Sequence, residues 1–335
     1  MNRRVAVIGA GSWGTALAIQ AARAGHDVSL WSHNAAVVES INSTHLNARY
    51  LTDVKIPENV RATSDIVESV GGAELVILAA PSHATRELLN ALTPVLRAEM
   101  VIVSATKGIE IDTGKRISQL VAEVVPGETR PRFVSLSGPS FAREVAEGHP
   151  TAVVAASENR DACRTVQAEL SFGNLRIYTN DDVVGTELGG SVKNVMAIAA
   201  GMVAGLGYGS NSIAALITRG LAEMTRLALR EGASLQTLMG LAGLGDLVLT
   251  CTGSLSRNRF VGQELGKGRK LEDITAGLNE IAEGVKTTLA VKRLAERVGV
   301  DMPITNEVHA VIYEGKLASA AVSELMTRPL REESY

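Results

Sequence analysis

Cysteine is scarce in this sequence, and its scarcity narrows the class of protein. The 335 residues include only two cysteines, Cys163 and Cys251, which cannot build the disulfide framework of a small secreted protein. Their spacing fits no metal-binding motif, so we expect two core or surface thiols and no metal site. This cysteine usage is compatible with a reducing cytoplasm, where we expect the protein to reside.

The sequence also lacks an excess of positive charge, and it lacks an apolar run long enough to span a membrane. Lys and Arg total 33 against 36 Asp and Glu, so the chain has no basic excess for non-specific nucleic-acid binding. The longest uncharged apolar stretch, Val195–Tyr208, contains three glycines and is shorter than the roughly 20 residues of a membrane span. The apolar run after Arg4 breaks at Gly9–Trp13, too early for a signal peptide. We therefore expect a protein that neither binds nucleic acid nor inserts into a membrane.

The first half alternates between short β-branched runs and helical patterns. At 335 residues, the length predicts about two domains. The predicted strands are Arg4–Ile8, Val28–Trp31, Leu75–Ala79, Met100–Ser104, Phe133–Leu136, Thr151–Ala155 and Leu175–Thr179. The predicted helices between them are Gly14–Ala24, Ala84–Leu96, Gly114–Val125 and Asn159–Leu170. Near-continuous apolar strands alternating with helices predict a doubly wound α/β domain with a buried parallel sheet.

The second half lacks β-branched runs after about Asn180. Apolar residues recur there at helical spacing, as in Leu216, Leu221, Met224 and Ala228. We predict a nucleotide-binding domain over residues 1–183 and an all-helical domain over residues 184–335. No proline-rich linker separates them, so we expect the two domains to pack tightly.

The sequence Gly9-Ala-Gly11-Ser-Trp-Gly14 is the strongest local signal. It follows the first predicted strand and opens the first predicted helix. The first glycine permits a tight turn, the second lets the backbone approach a pyrophosphate, and the third lets helix and strand pack closely. The free N–H groups at the helix N-terminus would face the phosphates. We predict dinucleotide binding; the alternative is a turn needed only for packing.

The choice between NAD and NADP depends on the end of the second strand. An acidic residue there would bind the ribose 2′-hydroxyl, but residues 30–34 read Leu-Trp-Ser-His-Asn. Ser32 and His33 could accommodate a 2′-phosphate, which favours NADP and leaves NAD open. The alternative for His33 is a solvated loop position.

Two lysines occupy positions where packing does not require them. Lys107 directly follows a buried strand, and ligands of open α/β sheets lie at the carboxyl ends of strands. Lys193 lies in an otherwise apolar helix of small residues, where burial lowers a lysine pKa and suits it to proton transfer. The alternatives are a surface lysine at position 107 and a side chain at position 193 that reaches out to solvent.

A polar segment of the second half is suited to an anionic substrate. Asp246 lies in an apolar stretch broken by glycines, and Ser256 is a candidate N-cap. Arg257 and Asn258 then lie at the first helical turn, where N–H groups and a guanidinium can hold a phosphate. The alternative is a capped, exposed basic turn. In the first half, Ser137–Glu144 forms a turn after a strand, at the expected ligand edge.

These segments resemble bacterial NAD(P)-dependent glycerol-3-phosphate dehydrogenase. The resemblance covers essentially the whole chain and is carried, in order, by GAGSWGTALA, ATKGIE, LSGPSFAREV, ELGGSVKNVMAIAAG, GLGDLVLTCTGSLSRNRFVG, EGVKTT and DMPI. It implies reversible reduction of dihydroxyacetone phosphate to sn-glycerol 3-phosphate, the backbone of glycerophospholipids. It also implies a Rossmann-type domain followed by a helical domain like that of 6-phosphogluconate dehydrogenase.

The resemblance also implies roles for individual residues. Lys193 matches the proton donor and acceptor, Lys107 the second active-site lysine, and Asp246 a third catalytic residue. The implied substrate contacts are Lys107, Gly138, Ser140, Lys193, Asp246, Ser256, Arg257 and Asn258. The expected cofactor contacts are Gly9, Gly11, Ser12, Trp13, Gly14, His33, Tyr50, Lys107, Ala142, Arg257, Ile281 and Glu283. The family often has Phe at position 13 and Arg at position 33, and His33 weakens the case for a 2′-phosphate because neutral histidine is a poorer anion partner.

Two other functions remain as alternatives. A β-hydroxyacid dehydrogenase related to 6-phosphogluconate dehydrogenase would share the fold and a helix-borne lysine, but does not predict the segment from Gly243 to Asn258. A nucleotide-sensing protein would use the first domain without turnover and would need no buried proton donor. The sequence leaves open the cofactor preference, the dominant direction, feedback inhibition and the oligomeric state, for which a homodimer is one option.

Overall fold

A single sheet organises the first half of the chain. The computed structural model describes residues 2–276, 282–330 and 332–333. The strands are β1 (Arg4–Ile8), β2 (Asp27–Trp31), β3 (Val60–Thr63), β4 (Leu75–Leu78), β5 (Val101–Ser104), β6 (Arg132–Ser137), β7 (Thr151–Ala156) and β8 (Leu175–Asn180). Their order across the sheet is β3-β2-β1-β4-β5-β6-β7-β8, and neighbours run parallel except for β6 and β7. The first six strands have the order of a dinucleotide-binding sheet, which confirms the predicted doubly wound fold.

Helices cover the sheet and bury its central strands. They are α1 (Ser12–Arg23), α2 (Ala35–Thr44), α3 (Ile66–Val70), α4 (Thr85–Leu92), α5 (Ile117–Val124), α6 (Ala142–Glu147) and α7 (Arg160–Leu170). Every residue of β4 and β5 is buried, as expected of strands covered on both faces. Because β4 and β5 pair in parallel, their carboxyl ends share one edge, where ligand-binding loops can converge.

The structure corrects several of the predicted elements. β3 was not predicted, because its residues Val60–Thr63 alternate in burial and form no apolar run. β7 is antiparallel to β6, although the apolar runs suggested a uniformly parallel sheet. The predicted helix Gly114–Val125 begins only at Ile117, since Gly114 has a φ of +66°. The predicted helix Ala84–Leu96 ends at Leu92, before a 3-10 turn that contains a proline.

The second half is helical throughout its described residues, as predicted. Its helices are α8 (Val183–Gly205), α9 (Ser210–Arg230), α10 (Leu235–Met239), α11 (Asp246–Thr252), α12 (Arg257–Gly266), α13 (Leu271–Thr275), α14 (Glu283–Val298), α15 (Pro303–Tyr313) and α16 (Ala318–Thr327). A π-helical turn, Leu241–Gly245, leads directly into α11. Helix α8 is the centre of this half, and most of its residues are buried on all sides.

Small residues let the backbones of α8 and α12 come together. A Cβ at Gly201 would lie 2.0 Å from the Arg259 carbonyl oxygen, and one at Gly262 would lie 1.9 Å from that of Ile198. Only glycine fits such contacts. Helix α8 is long and apolar enough to cross a membrane, but 89% of its most apolar stretch is buried within the protein. Helix α8 is therefore a core helix of the protein, and it contains most of the apolar run Val195–Tyr208.

Candidate active site

The glycine turn between β1 and α1 has the shape that its sequence predicts. Gly9 has a φ of +115°, and a Cβ at Gly14 would lie 1.8 Å from the Gly9 carbonyl oxygen. Gly11 is the N-cap of α1, and no side chain among the described residues caps that helix. The start of α1 therefore has no side-chain cap that would compete with an anion such as a pyrophosphate.

Asn47 holds this turn in place, a role that was not predicted from the sequence. Its side-chain amide is fully buried and donates to the Ala10 carbonyl and to Thr15 Oγ1, both at 2.8 Å. Its carbonyl oxygen accepts the N–H of Tyr50 at 3.2 Å, and Ser12 Oγ donates to the Tyr50 carbonyl at 2.9 Å. Tyr50 is thereby placed beside the predicted cofactor turn. Nothing in the sequence distinguishes Asn47 from an ordinary turn asparagine.

The end of β2 presents His33 rather than Ser32. Ser32 is buried, and its hydroxyl accepts the N–H of Asn34, whose own side chain caps α2. His33 is exposed, with its ring centroid 6.3 Å from the Trp31 indole. Of the two residues predicted to accommodate a 2′-phosphate, only His33 therefore has an accessible side chain.

Two lysines and one carboxylate meet at the carboxyl edge of the sheet. Lys193 Nζ, on α8, lies 2.5 Å from Asp246 Oδ1, at the start of α11. Lys107 Nζ, just beyond β5, lies 2.8 Å from Asp246 Oδ2. Asp246 is 1% exposed and Lys193 5%, so neither charge is solvated by bulk water. The three residues predicted to be catalytic are brought together from separate parts of the chain.

Burial and neighbouring charges shift the pKa values of this cluster. Burial lowers the pKa of Lys193 to about 8, although the Asp246 carboxylate opposes that shift. Burial alone would raise the pKa of Asp246, but the two ammonium groups outweigh it and hold that pKa below its usual range. Burial raises the pKa of the neighbouring Cys251 thiol to about 12, so this thiol stays neutral. The arrangement keeps Asp246 ionised and prepares Lys193 to exchange a proton near neutral pH.

Polar neighbours orient the two lysines. Lys193 Nζ also donates to Thr250 Oγ1 at 2.8 Å. Lys107 Nζ donates to the Gly138 carbonyl at 2.9 Å and to Ser140 Oγ at 3.3 Å. The loop after β6 thus reaches the cluster, as its position at the ligand edge predicted. Thr250 was missed because a threonine in an apolar helix gives no functional signal.

Asn194 connects this cluster to the start of α12. Its amide donates to the Lys107 carbonyl at 3.2 Å, and its Oδ1 accepts from Asn258 Nδ2 at 3.0 Å. Asn258 Oδ1 in turn accepts the N–H of Gly284 at 2.9 Å. Asn258 was predicted as a substrate contact and Asn194 was not. For Asn194, the only indication in the sequence is that a polar residue follows Lys193 in an otherwise apolar helix.

The predicted Ser256 N-cap at the start of α12 forms as expected. Ser256 Oγ accepts the N–H of Arg259 at 3.2 Å and so caps the helix. Arg257 follows at the first turn with an exposed side chain. The positive charges of Arg257, Lys193 and Lys107 oppose the rise that burial causes in the pKa of Glu283, so these charged groups act on one another.

Two further predicted cofactor residues, Glu283 and Ala142, each lie at the start of a helix. Glu283 opens α14 and accepts the N–H of Ser82 at 3.1 Å; burial raises its pKa. Ala142 opens α6 and packs partly against the sheet core. Ile281 lies outside the described residues.

Trp13 links the cofactor turn to the lysine cluster. Lys107 Nζ lies 6.0 Å from the centroid of its ring. The buried indole Nε1 of Trp13 has no hydrogen-bond partner among the described residues. This unpartnered donor and the uncapped start of α1 together fit a bound dinucleotide. No group of three or more metal-ligating side chains occurs within residues 2–276, 282–330 and 332–333.

Comparison with known proteins identifies the family. The N-terminal model of NAD-dependent glycerol-3-phosphate dehydrogenase matches residues 4–163, and the C-terminal model of the same family matches residues 182–323. This chain is a member of the NAD-dependent glycerol-3-phosphate dehydrogenase family. The family that the sequence motifs indicated is therefore confirmed.

Several glycerol-3-phosphate dehydrogenases are similar over their whole length. The chain is 54% identical to glycerol-3-phosphate dehydrogenase (NAD(P)+) of Koribacter versatilis, covering 99% of both chains. It is 51% identical to the enzyme of the same name from Geobacter sulfurreducens, covering 100% of both. The crystal structure of glycerol-3-phosphate dehydrogenase from Coxiella burnetii aligns with a TM-score of 0.94 at 40% identity, covering 98% of this chain and 99% of that one.

Proposed function

We propose that this protein catalyses the reversible reduction of dihydroxyacetone phosphate to sn-glycerol 3-phosphate, with NADPH or NADH as the reductant. The observation that carries the proposal is the buried Lys193–Asp246–Lys107 cluster beside the glycine turn. Membership of a glycerol-3-phosphate dehydrogenase family supports the same reaction. The product would supply the backbone of glycerophospholipids, and we place the reaction in the cytoplasm.

Lys193 acts as the proton donor in the direction of reduction. The nicotinamide, when bound, supplies the hydride that is added to C2. Negative charge then develops on the C2 oxygen, and the protonated Lys193 stabilises this charge and donates its proton to that oxygen. In the reverse direction the neutral amine takes the hydroxyl proton back. Because burial places the pKa of Lys193 at about 8, both protonation states are accessible near neutral pH.

Asp246 and Lys107 support this proton transfer. Asp246 accepts from both ammonium groups and fixes the direction in which Lys193 points. Lys107 contacts the substrate and lies close to the cofactor turn, while Gly138 and Ser140 hold its ammonium. Ser256, Arg257, Asn258 and the first N–H groups of α12 bind the substrate phosphate, which converts remote binding energy into orientation at C2.

Arg257→Ala should mainly weaken the binding of the phosphorylated substrate. We expect KM for dihydroxyacetone phosphate to rise by about 10- to 100-fold, because a charge-assisted contact contributes roughly 1.5–3 kcal/mol. Steady-state kinetics at saturating NADPH measure this change. Arg269→Ala, which removes a surface partner of Glu264, is the control and should leave KM unchanged. An unchanged KM in Arg257→Ala would contradict the assignment of the phosphate site.

The two directions of the reaction should respond oppositely to pH. Below its pKa of about 8, Lys193 carries the proton that reduction consumes, so kcat for reduction should be constant there and fall as pH rises through about 8. Oxidation of sn-glycerol 3-phosphate needs the neutral amine, so its kcat should rise over the same interval. Initial rates in both directions from pH 6 to 10 measure these profiles. Parallel profiles in the two directions would exclude Lys193 as the titrating group.

The experiment that tests the proposed function is NAD(P)H oxidation, followed at 340 nm with dihydroxyacetone phosphate. NADH and NADPH are compared in parallel. The ratio of their kcat/KM values measures the preference for a cofactor with a 2′-phosphate, which His33 is expected to contact. Oxidation of either cofactor supports the proposal. A folded protein that binds cofactor but oxidises neither would refute it. Phosphorylated hydroxyacids then test the β-hydroxyacid dehydrogenase alternative, and cofactor binding without turnover would favour a sensor.

The proposal includes a division of labour between residues 1–183 and 184–335. The first part would bind the dinucleotide, and the second would supply Lys193, Asp246 and the phosphate site. Support comes from helix α8, which begins at Val183 directly after the last strand of the sheet. We further propose a homodimer, which light scattering of the purified protein would test.

A further inference from the structure

We propose that Glu187 is a positioning residue that sets the spacing of the two active-site lysines. It joins helix α8, which carries Lys193, to the segment that follows Lys107. This inference rests on the proposed function, because it assigns no new reaction and concerns the same two lysines. Among the described residues, Glu187 makes no hydrogen bond or ion pair to Lys193 or Lys107; it acts through the backbone elements that carry them.

The carboxylate of Glu187 is buried at the start of α5, in the other half of the molecule. Its Oε1 accepts the N–H of Ser118 at 2.7 Å, and its Oε2 accepts from Ser118 Oγ at 2.6 Å. Arg116 Nη1 donates to the same Oε2 at 2.7 Å. The Glu187 side chain is 4% exposed and that of Arg116 is 11% exposed. Glu187 therefore serves as the N-terminal cap of α5 from a distant part of the chain.

Helix α8 holds both ends of the segment 107–118 with a single face. Asn194 follows Glu187 by seven residues, which is two helical turns, or about 10.5 Å along the axis, on nearly the same side of the helix. Asn194 donates to the Lys107 carbonyl, and Glu187 binds Arg116 and Ser118. Since α8 also carries Lys193, one rigid helix positions Lys193 against the segment that begins at Lys107.

Helix α14 supports the middle of the same segment, but more weakly. Arg293 donates to the Ile111 carbonyl at 3.4 Å, and Arg297 donates to that of Thr113 at 3.1 Å. Both of these contacts are exposed to solvent.

Arg86, on α4, also pairs with Glu110 within the segment, but that pair joins elements of the first half only. Glu187 supplies the buried, charged contact from α8, the helix that carries Lys193. We therefore expect its loss to change where Lys107 lies relative to Lys193.

Removing the charge of Glu187 should move Lys107 without unfolding the site. In Glu187→Gln the amide can still accept one hydrogen bond, but the largely enclosed guanidinium of Arg116 loses its carboxylate partner. The start of α5 can then shift, and with it the segment leading back to Lys107. A displacement of about 1 Å in a reacting group can cost roughly 100-fold in rate. We expect kcat to fall by about 10- to 100-fold, with the dissociation constant of NADPH changed less than about threefold.

Glu223 provides a matched control within the same chain. It is also a buried carboxylate that caps a helix, because it accepts the N–H groups of Ile304 and Thr305 at 2.9 Å and the Thr305 hydroxyl at 2.8 Å. Burial raises its pKa, as it does that of Glu187. Glu223 joins α9 to α15, which both lie in the helical half. Glu223→Gln should therefore lower the melting temperature while leaving kcat within about twofold of the wild type.

The experiment compares the two variants with the wild-type protein under identical conditions. Thermal melting, NADPH binding by intrinsic tryptophan fluorescence, and kcat and KM for dihydroxyacetone phosphate are measured for each. A large loss of kcat in Glu187→Gln, with folded protein, retained NADPH binding and an active Glu223→Gln, supports the positioning role. A wild-type kcat in Glu187→Gln, or equal losses of kcat in both variants, would overturn it.

Two features keep the test decisive. If Glu187→Gln does not fold, Ser118→Ala takes its place. This substitution removes only the Ser118 hydroxyl, which donates to Glu187 and accepts from Arg116, and it leaves the Arg116–Glu187 pair intact. The same criteria then apply, with kcat expected to fall by about three- to tenfold. Absence of turnover in the wild-type protein would refute the proposed function itself. That result differs from a fully active Glu187→Gln, which would refute only the positioning role.

Discussion

Replacing Lys193 with alanine should reduce turnover of dihydroxyacetone phosphate by about a thousandfold or more while leaving NADPH binding nearly unchanged. A positioned general acid contributes roughly 100- to 10,000-fold, and loss of the ammonium also removes the charge that stabilises the developing alkoxide. The cofactor turn belongs to β1 and α1, and Lys193 makes no hydrogen bond to it among the described residues. The rate effect should therefore appear in kcat.

Turnover at 340 nm and intrinsic fluorescence measure the two quantities separately. The chain has only two tryptophans, and both Trp13 and Trp31 lie at the predicted cofactor site. Lys267→Ala, at a half-exposed lysine paired with Glu264, is the control and should behave like the wild type. Retained turnover together with lost NADPH affinity in Lys193→Ala would reverse the assignment and place position 193 in the cofactor site.

Asp246→Asn should have the second-largest effect, and it should also change the pH profile. Asparagine has nearly the same shape but removes the negative charge between two ammonium groups that lie 2.5 Å and 2.8 Å from the carboxylate oxygens. The pKa of Lys193, already lowered by burial to about 8, should fall further once this carboxylate is lost. We expect kcat for reduction to drop by about 100- to 1,000-fold at pH 7.5, since less Lys193 carries a proton and its orientation is lost.

The diagnostic observation is the pH at which reduction begins to fail. This pH should move below about 8 in Asp246→Asn, and lowering the pH should recover part of the lost rate. Asp301→Asn, at a surface aspartate paired with Arg328, is the matched control and should keep the wild-type profile. A wild-type pH profile in Asp246→Asn would show that Asp246 does not control the protonation of Lys193.

Most of the fold was predictable because buried positions follow a regular spacing of apolar residues in the sequence. Strands covered on both faces, such as β4 and β5, are continuous apolar runs, and the amphipathic helices of the second half repeat every three to four residues. The edge strand β3 was missed because only alternate residues are buried. The antiparallel direction of β7 was missed because strand direction depends on the path of the connecting chain, which apolar runs do not encode.

The individual residues of the site were predictable to the extent that their chemistry conflicted with their surroundings. Lys193 in an apolar helix and Asp246 in an apolar stretch were noticed because an isolated buried charge is costly. Thr250, Asn194 and Asn47 were missed because uncharged polar residues are common in helices and turns. Their importance lies in their hydrogen-bond partners, which are distant in sequence.

The sequence by itself determined the class of fold, the family, the glycine turn and the residues that can carry charge. Local patterns suffice for these features, because secondary structure, capping and phosphate-binding turns depend on neighbouring residues. Only the tertiary structure decided that Asp246 lies between Lys193 and Lys107, and that Glu187 caps a helix in the other half. These pairings join residues 53, 139 and 69 positions apart, and only the packing of elements distant in sequence brings them into contact.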